Sequence, residues 1–531
     1  MPFASPHPSP APYVAKTLTE LVSATVARLP DKTAFIEPDG TTTTFRKFWE
    51  AVQGLARWLQ DDGLQKGDRV AIFSPNSVEY AVIAHATLLA GGTMTPLNPL
   101  YREREVEHQI ADSGATVLFA HAAMAPVVEE AKPLLPPALK IHDTAAVWEM
   151  AREGAAAGPP RPVSIDPEND LAALPYSSGT TGLPKGVMLT HWNLAANVQQ
   201  VQPLDLMREE SVLLDVLPFY HIYGMQVLMN CGLTLGATQV ILPRFDPELV
   251  VHLIERYRVT DFFVVPPALL ALTHFPGAEG HDLSSLRYFF SGAAPLPLEV
   301  ARMAQKRFGI PVLQGYGMTE TSPVTNASQV GKDREGTVGP PIPDTVEKVV
   351  DLETGRELGP GEVGELWVKG PQVMKGYWNR PDATAETITP DGWLRTGDVV
   401  SADADGYVTI RDRLKEMIKY KGYQIAPAEL EALIMEHPAV LDAAVVPRED
   451  PESGEVPKAF VVLRPGQQVS AEDLMDFVAG KVAPYKKVRM VEFVDAIPKN
   501  PSGKILRRQL IEQERARARE AGVPGEFVGE R

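Results

Sequence analysis

The chain has 531 residues and a formal net charge of −17, with 44% hydrophobic and 22% charged residues. This length predicts a large multi-layer domain and at least one smaller domain, and the composition is that of an ordinary globular protein. The acidic balance argues against an extended nucleic-acid surface, because phosphate backbones need a basic footprint. The single cysteine, Cys231, excludes an intrachain disulfide and a multi-cysteine zinc site.

The two ends of the chain carry no targeting pattern. Residues 1–14 are rich in proline, which predicts a flexible arm rather than a signal peptide. The C-terminal letters EFVGER match no peroxisomal or prenylation signal. No apolar run approaches the roughly 20 residues that a membrane span needs. We therefore expect a cytoplasmic protein.

Strands and helices alternate through the N-terminal part of the chain. Thr44 is followed by apolar residues at helical spacing, which predicts an amphipathic helix with a hydroxyl cap. The elements that follow are a strand at 69–74, a helix from Val78, a strand at 93–97, a charged helix from Arg102 and a strand from Ala115. This alternation predicts an α/β fold with a parallel-rich sheet that is covered on both faces.

Three apolar strands in the middle of the chain end in glycine, proline or hydroxyl residues, at 259–267, 286–295 and 311–320. Ligands in open α/β sheets bind outside the carboxyl ends of the strands, so these endings predict a binding crevice. Turn signals between residues 337 and 411 indicate a β-rich subdomain, and a compact α+β pattern follows. The predicted organisation is a flexible arm at 1–14, a large N-terminal domain at 15–412, a hinge at 413–416 and a small mobile C-terminal domain at 417–531.

The segment YSSGTTGLPKG at 176–186 combines glycine, hydroxyl and lysine residues, as phosphate-binding loops do. A P-loop has glycine before its lysine and a hydroxyl residue after it, whereas Lys185 lies between Pro184 and Gly186. Proline also lacks the backbone N–H that a phosphate nest uses. The segment is therefore a different phosphate loop or an ordinary flexible loop.

Five segments decide between these alternatives by their order and spacing: YSSGTTGLPKGV, QGYGMTE, GWLRTGD, DRLKEMIKYKGYQIAPAELE and PKNPSGKILRR. Together they resemble the ANL superfamily of adenylate-forming enzymes, and most closely its branch of 4-coumarate and fatty acid–CoA ligases and firefly luciferase. The resemblance extends over about residues 18–510. It implies that a carboxylic acid and MgATP form an acyl adenylate and pyrophosphate, and that the acyl group then passes to CoA with release of AMP. The carboxylate is already an ionised nucleophile, so the first step depends mainly on electrostatic stabilisation.

The resemblance implies an ATP and AMP site formed by Ser177, Ser178, Gly179, Thr180, Thr181, Lys185, Gln314, Gly315, Tyr316, Thr319, Asp398, Arg413 and Lys504. Within it, Tyr316 would lie against adenine and Asp398 would accept hydrogen bonds from the ribose. Glu320 would be the Mg²⁺ ligand, as a hard oxygen donor should. Lys504 would bridge the carboxylate and the α-phosphate, in a stretch at 481–508 with eight basic and two acidic residues.

The resemblance also implies that the small domain rotates about Lys415 between the two half-reactions. Residues expected near CoA are Arg244, Lys421 and Gly422. Lys419 and Gln424 would contact the intermediate and the thiol arm. The implied catalytic set is Lys504, His221, Lys419, Gln424 and Thr319.

The acyl pocket implied by the resemblance consists of Ile222, Tyr223, Gln226, Phe290, Gly292, Gly317, Pro323 and Val324, with His221 against the substrate carboxylate. Hydroxycinnamate ligases usually have a more apolar segment than SPVTNAS after GMTE, and a smaller residue than Phe290. Both departures disfavour 4-coumarate itself. A medium-chain or long-chain fatty acid and another aryl acid of the hydroxycinnamic type fit equally well.

Three other functions compete with a CoA ligase. A carrier-protein loader would use the same adenylate, but KYKGYQ and Arg244 suit CoA. A luciferase-like enzyme would oxidise the adenylate, and no residue of the sequence argues against it. A nucleotide-binding protein without catalysis is disfavoured by the presence of both Glu320 and Lys504. A homodimer is the base-rate expectation for a soluble enzyme.

Overall fold

The computed structural model of the chain describes residues 2–177, 184–293, 296, 298–352, 354–413, 418–421, 423–425, 427–450, 452–498 and 507–520. The chain divides into two compact units. The first ends at Asp412, and the second begins at Arg413 and takes in two short earlier segments. The predicted hinge residue Lys415 lies outside the described residues.

The α-helices in chain order are α1 (Leu18–Arg28), α2 (Phe45–Asp61), α3 (Val78–Leu89), α4 (Glu103–Ser113), α5 (Ala125–Ala131), α6 (Val147–Ala157), α7 (His191–Val201), α8 (Cys231–Leu235), α9 (Pro247–Tyr257), α10 (Pro266–His274), α11 (Leu298–Phe308), α12 (Pro381–Thr387), α13 (Pro427–Met435), α14 (Ala471–Ala479) and α15 (Arg507–Glu520). A π-helical segment, Tyr223–Asn230, runs directly into α8. None of the helices in the described ranges has both the length and the apolar character needed to cross a membrane.

The strands in chain order are β1 (Phe3–Ala4), β2 (Thr33–Ile36), β3 (Thr42–Thr44), β4 (Arg69–Phe73), β5 (Thr93–Pro96), β6 (Ala115–Ala120), β7 (Lys140–Asp143), β8 (Leu171–Ala173), β9 (Tyr176–Ser177), β10 (Lys185–Thr190), β11 (Val212–Asp215), β12 (Thr238–Ile241), β13 (Asp261–Val264), β14 (Tyr288–Ser291), β15 (Val312–Gly317), β16 (Val324–Ala327), β17 (Val346–Val350), β18 (Val363–Lys369), β19 (Gly376–Tyr377), β20 (Leu394–Ala402), β21 (Val408–Arg413), β22 (Ile418–Tyr420), β23 (Tyr423–Ile425), β24 (Val440–Asp450), β25 (Gly454–Leu463) and β26 (Met490–Phe493).

The first unit contains three sheets. One eight-stranded sheet has the order β19-β10-β8-β5-β4-β6-β7, with β9 paired to β10. A second has the order β16-β15-β14-β13-β11-β12-β2-β3, in which β2 and β11 to β15 pair in parallel. A five-stranded sheet, β1-β17-β18-β20-β21, forms the predicted β-rich part. The parallel-rich α/β architecture predicted from the alternation of elements is confirmed.

Local sequence explains where the helices of the first unit begin. The Thr44 side chain accepts a hydrogen bond from the N–H of Lys47 and caps α2, as the sequence predicts. Helix α2 then buries Phe48, Val52 and Leu55 in the main core. Helix α3 is buried along nearly its whole length, because strands and helices cover it on several sides.

Residues of the N-terminal stretch that the sequence predicts to be a flexible arm make defined contacts in the structure. Phe3 and Ala4 pair with β17 at the edge of the five-stranded sheet. The hydroxyls of Ser9 and Tyr13 donate to Asp344 Oδ2 at 2.8 and 2.7 Å. These polar contacts hold a stretch whose composition alone indicates no fixed structure.

The second unit is an α+β domain with cores of its own. Its sheet has the order β23-β22-β25-β24, and β26 joins β25 in parallel. One core contains Leu430, Val445 and Val478, and a smaller one contains Phe460 and Leu510. The compact α+β pattern predicted after the β-rich part is confirmed, with α13, β24, β25, α14 and β26 among its elements.

Candidate active site

The carboxyl ends of four neighbouring parallel strands meet at one edge of the second eight-stranded sheet. Strand β14 ends at Ser291, which pairs with Gln314 of β15. Strand β15 then runs on to Gly317, and β11 ends at Asp215 before the chain continues to His221. The predicted residues at 290–292, 314–320 and 221–226 therefore leave the sheet at the same edge, where open α/β sheets bind ligands.

Tyr316 and Asp398 form one polar pair at this edge. The Tyr316 hydroxyl donates to Asp398 Oδ2 at 2.6 Å. Asp398 lies on β20 of the five-stranded sheet and is 2% exposed, whereas Tyr316 is half-buried. The pair thus joins two sheets and holds the tyrosine ring in one orientation.

Glu320 forms a second polar cluster with two hydroxyl groups. Its Oε1 accepts hydrogen bonds from Ser177 Oγ at 3.2 Å and from the Tyr377 hydroxyl at 2.7 Å. Burial and the nearby Glu320 carboxylate raise the pKa of Tyr377, so its phenol stays protonated and donates. Two donors on one oxygen keep the carboxylate in place.

The Glu320 carboxylate fits a magnesium ion that also binds phosphate. Among the described residues, no donor reaches its second oxygen, Oε2, and no group of three acidic, histidine or cysteine side chains is arranged to hold a metal. Mg²⁺ commonly binds through one or two carboxylates together with substrate phosphates and water. A single buried carboxylate with one open oxygen is such a ligand.

His221 is exposed at the start of the π-helical segment, and its ring has a defined tautomer. The Tyr223 backbone N–H donates to His221 Nδ1 at 3.2 Å, so the neutral ring carries its proton on Nε2. Surrounding protein atoms displace part of the water and lower the pKa of the imidazole. At neutral pH the side chain is therefore an Nε2–H donor without a charge.

Aromatic rings lie directly against glycine backbone in the predicted acyl pocket. The Tyr223 hydroxyl donates to the carbonyl oxygen of Phe290 at 3.2 Å. A Cβ atom at Gly292 would lie 3.1 Å from the Tyr223 ring, and one at Gly315 would lie 2.7 Å from the Phe290 ring. A side chain at Gly315 would displace the Phe290 ring, and one at Gly292 would crowd the Tyr223 ring.

The other predicted pocket residues differ in the solvent exposure of their side chains. Ile222 and Pro323 are buried, and Val324 is half-buried. A Cβ at Gly317 would lie 2.0 Å from the carbonyl oxygen of Pro323. The Gln226 side chain is fully buried and is held inside the protein, because its amide donates to the Leu194 carbonyl at 2.7 Å.

Apart from Arg244, the residues predicted to contact CoA and the intermediate belong to the second unit. The Lys419 N–H donates to Glu455 Oε2 at 2.7 Å, and Lys419 pairs with Gln424 across β22 and β23. Lys421 is exposed, with a left-handed backbone at φ 47°. Its ammonium group lies 5.7 Å from the centroid of the Tyr420 ring.

The remaining predicted site residues are distributed as follows. Thr319 is half-buried and begins a 3₁₀ turn, Lys185 begins β10, Arg244 lies exposed after β12, and Arg413 ends β21. The side chains of Arg413 and Gln424 are outside the described part of the chain. Ser178, Gly179, Thr180, Thr181, Lys415, Gly422 and Lys504 also lie outside the described residues.

Tyr377 is a site residue that the sequence pattern did not reveal. It lies 57 positions after Glu320 and belongs to none of the five recognised segments. The available signal was the aromatic pair in GYWNR, placed among glycine, asparagine and arginine in a turn-like context. Such a pair is equally typical of an ordinary buried turn.

The chain matches two family models. The model described as "AMP-binding enzyme" matches residues 22–378, and the one described as "AMP-binding enzyme C-terminal domain" matches residues 429–504. The first match includes Tyr316, Glu320 and Tyr377 and ends before Asp398, and the second lies within the second unit.

Curated relatives are similar over nearly the whole chain. Peroxisomal OPC-8:0-CoA ligase 1 of Arabidopsis thaliana is 39% identical, covering 96% of this chain and 94% of its own. Long-chain-fatty-acid–CoA ligase of Bacillus subtilis is 38% identical, covering 96% of both. 4-Coumarate–CoA ligase 5 of Oryza sativa is 41% identical, covering 89% of both.

Solved structures share the fold. A double mutant of o-succinylbenzoate CoA synthetase from Bacillus subtilis superposes with a TM-score of 0.81 at 30% identity, covering 93% of this chain and 98% of its own. The amide bond synthetase McbA from Marinactinospora thermotolerans gives a TM-score of 0.82 at 29% identity, covering 94% and 99%.

Proposed function

Because this chain belongs to the family of AMP-binding enzymes, we propose that it is an ATP-dependent acid–thiol ligase that converts a carboxylic acid into its CoA thioester. The observation that supports the proposal is the pair of polar clusters at the carboxyl end of β15, Tyr316–Asp398 and Glu320 with its two hydroxyl donors. Near-complete alignment with several proteins named CoA ligases supports the thiol as acceptor.

In the first half-reaction, the carboxylate of the acid attacks the α-phosphate of ATP. A new O–P bond forms, and pyrophosphate leaves with the electron pair of the bond that breaks. Tyr316 orients the adenine ring, Asp398 accepts from the ribose hydroxyls, and the hydroxyls that begin with Ser177 contact the phosphates. Lys504 supplies the positive charge between carboxylate and α-phosphate.

Glu320 would hold Mg²⁺, which when bound neutralises part of the charge on the phosphates. The protein's own contribution is to orient this carboxylate through Ser177 and Tyr377. His221 presents Nε2–H, a neutral donor suited to one oxygen of the substrate carboxylate.

In the second half-reaction, the CoA thiolate attacks the acyl carbon and AMP leaves. The second unit would supply Lys419, Gln424, Lys421 and Gly422 to this step, and Arg244 would meet the CoA phosphates. Lys419 and Gln424 are paired with each other across β22 and β23, so the two residues lie side by side in the sheet of the second unit.

We propose a medium-chain or long-chain fatty acid, or an aryl acid of the hydroxycinnamic type, as the substrate. Ile222, Phe290 and Val324 supply apolar surface, and Phe290 lies against Gly315 where the pocket approaches the nucleotide site. We also propose a cytoplasmic location, which a single cysteine fits, and a homodimer, which is the base-rate expectation for a soluble enzyme.

The test is AMP release across a panel of aliphatic and aryl acids, each with and without CoA. CoA-dependent release with formation of the thioester, detected by mass spectrometry, is the expected result. Release that is indifferent to CoA would point instead to a carrier-protein loader or an oxidative enzyme. ATP binding without AMP release on any acid would indicate a nucleotide-binding protein and contradict the proposal.

A further inference from the structure

Asp112, near the end of α4, contacts both ends of the chain segment that we propose to bind phosphate. Its Oδ2 accepts a hydrogen bond from the Tyr176 hydroxyl at 2.7 Å, at the strand β9 where the segment begins. Its carbonyl oxygen accepts from Trp378 Nε1 at 3.0 Å. The Trp378 backbone N–H in turn donates to the carbonyl oxygen of Gly186 at 2.8 Å, where the segment has ended.

The packing around Gly186 is tight. A Cβ atom there would lie 3.2 Å from Trp378 Cβ and 3.1 Å from the Leu174 side chain. The two ends of the segment are also joined directly, because β9 pairs with β10 and the Val187 N–H donates to the Pro175 carbonyl at 2.8 Å. The spacing between the ends is therefore set by this strand pairing together with the contacts that Asp112 makes.

The same contacts reach the candidate magnesium ligand. Tyr176 and Ser177 are consecutive, and so are Tyr377 and Trp378. Asp112 bridges Tyr176 to Trp378, and Glu320 bridges Ser177 to Tyr377. The two consecutive pairs and the two acidic residues form a closed ring of contacts.

The position of Asp112 is unfavourable for its own helix. It is the second-last residue of α4, and a negative charge near a helix C-terminus opposes the helix dipole. Arg380 Nη2 pairs with Oδ1 at 2.9 Å, and the Asp112 side chain is only 13% exposed. The carboxylate is thus stabilised by Arg380 and Tyr176, both distant in sequence, and contributes nothing favourable to α4.

We propose that Asp112 is a positioning residue for ATP, which fixes the ends of the phosphate-binding segment relative to Glu320. This inference rests on the proposed function of that segment. Asp112 is not assigned a contact with substrate; its side chain acts through Tyr176, and its backbone carbonyl holds Trp378.

The test compares Asp112→Ala and Tyr176→Phe with Glu107→Ala, a half-buried acid on the same helix that makes none of the ring contacts. Dissociation constants for MgATP are measured by calorimetry, and KM values are measured for ATP, acid and CoA. Loss of one hydrogen bond from the ring should weaken ATP binding about 3- to 10-fold in both variants. The KM for CoA should stay unchanged, and Glu107→Ala should behave as wild type.

The double variant Asp112→Ala/Tyr176→Phe should be no weaker than Asp112→Ala alone, since both changes remove the same contact. Folded variants with wild-type affinity for MgATP would overturn the inference, and so would a fall in kcat and melting temperature without any change in the KM for ATP. Tyr176→Phe keeps the test decisive if Asp112→Ala fails to fold. If the wild-type protein bound MgATP but activated no acid, the proposed function would be overturned. The role of Asp112 would still be tested, because the dissociation constants of the variants for MgATP can be compared without any reaction.

Discussion

Individual hydrogen bonds fix the orientation of the side chains that we propose to bind the nucleotide. The bond between Tyr316 and Asp398 is the clearest example. Asp398 is almost completely buried, so every donor that reaches it stabilises its charge. Removing the tyrosine hydroxyl withdraws one of these donors and frees the ring that would lie against adenine.

Tyr316→Phe should therefore raise the KM for ATP by roughly 3- to 10-fold and leave the KM for CoA unchanged. Steady-state AMP release at varied ATP is the measurement. Tyr13→Phe is a matched control, because Tyr13 also donates to an aspartate, Asp344 at 2.7 Å, in the N-terminal stretch. Equal effects of the two substitutions would show that the Tyr316 bond has no special role in nucleotide binding.

Lys504 and Lys419 are assigned to different half-reactions, and this assignment can be tested residue by residue. Lys504→Ala should lower ATP–pyrophosphate exchange by a factor on the order of 10²–10³, because it removes the charge beside the α-phosphate. Attack of CoA on a supplied acyl adenylate should be largely spared.

Lys419→Ala should give the opposite pattern, with exchange retained and thioester formation slowed. Each variant thus serves as the control for the other in the same pair of assays. Unchanged exchange in Lys504→Ala would contradict the assignment of that lysine.

At the scale of elements, strand β17 buries an acid, Glu347, that has no cation beside it in the described part of the chain. Glu347 is 0% exposed, Asn326 Nδ2 donates to its Oε2 at 3.1 Å, and its Oε1 has no hydrogen-bond partner. Burial raises the pKa of this carboxyl to about 8. The folded protein therefore keeps a proton that the unfolded chain releases between about pH 4.5 and pH 8.

Because the folded pKa lies above the unfolded value, stability falls as the pH rises through this window. Glu347→Gln should remove that dependence and raise the free energy of unfolding at pH 8 by on the order of 2–4 kcal/mol, with little change at pH 5. Denaturant unfolding at both pH values is the measurement, with the exposed Glu386→Gln as control. Parallel pH profiles for wild type and Glu347→Gln would refute the prediction.

Sequence patterns predicted the elements better than the contacts between them. The helix from Thr44, the strand endings and the order of the five segments all depend on neighbouring residues, so they can be recognised locally. The hydrogen bonds of the site join residues 82 positions apart for Tyr316–Asp398 and 268 apart for Arg380–Asp112. Periodicity and motif spacing carry no information about which distant hydroxyl faces which carboxylate.

For the whole molecule, each unit has hydrophobic cores of its own, and residues of the proposed function lie in both units. The first unit holds Tyr316, Asp398 and Glu320, and the second holds Lys419 and Lys421. The second unit also has an internally paired charge, since Lys458 contacts both Glu492 at 2.8 Å and Glu514. The hydrophobic clusters of the second unit consist of residues from that unit and include none from the parallel sheets of the first unit.

The short strand β1 makes the N-terminal stretch part of the edge of the five-stranded sheet. Its two residues cover Val346 and Glu347 of β17, and Phe3 packs beside Gly406. Without β1, the backbone N–H and C=O groups of β17 would be open to pairing with another chain. Deletion of residues 2–14 should therefore cause self-association, visible by sedimentation as species larger than those of the full chain.

An unchanged sedimentation profile after that deletion would mean that two paired residues do not protect the edge. If they do protect it, the position of a purification tag affects whether the sheet edge stays covered. A tag fused before Phe3 would compete with strand pairing and could turn a well-behaved enzyme into one that aggregates on storage.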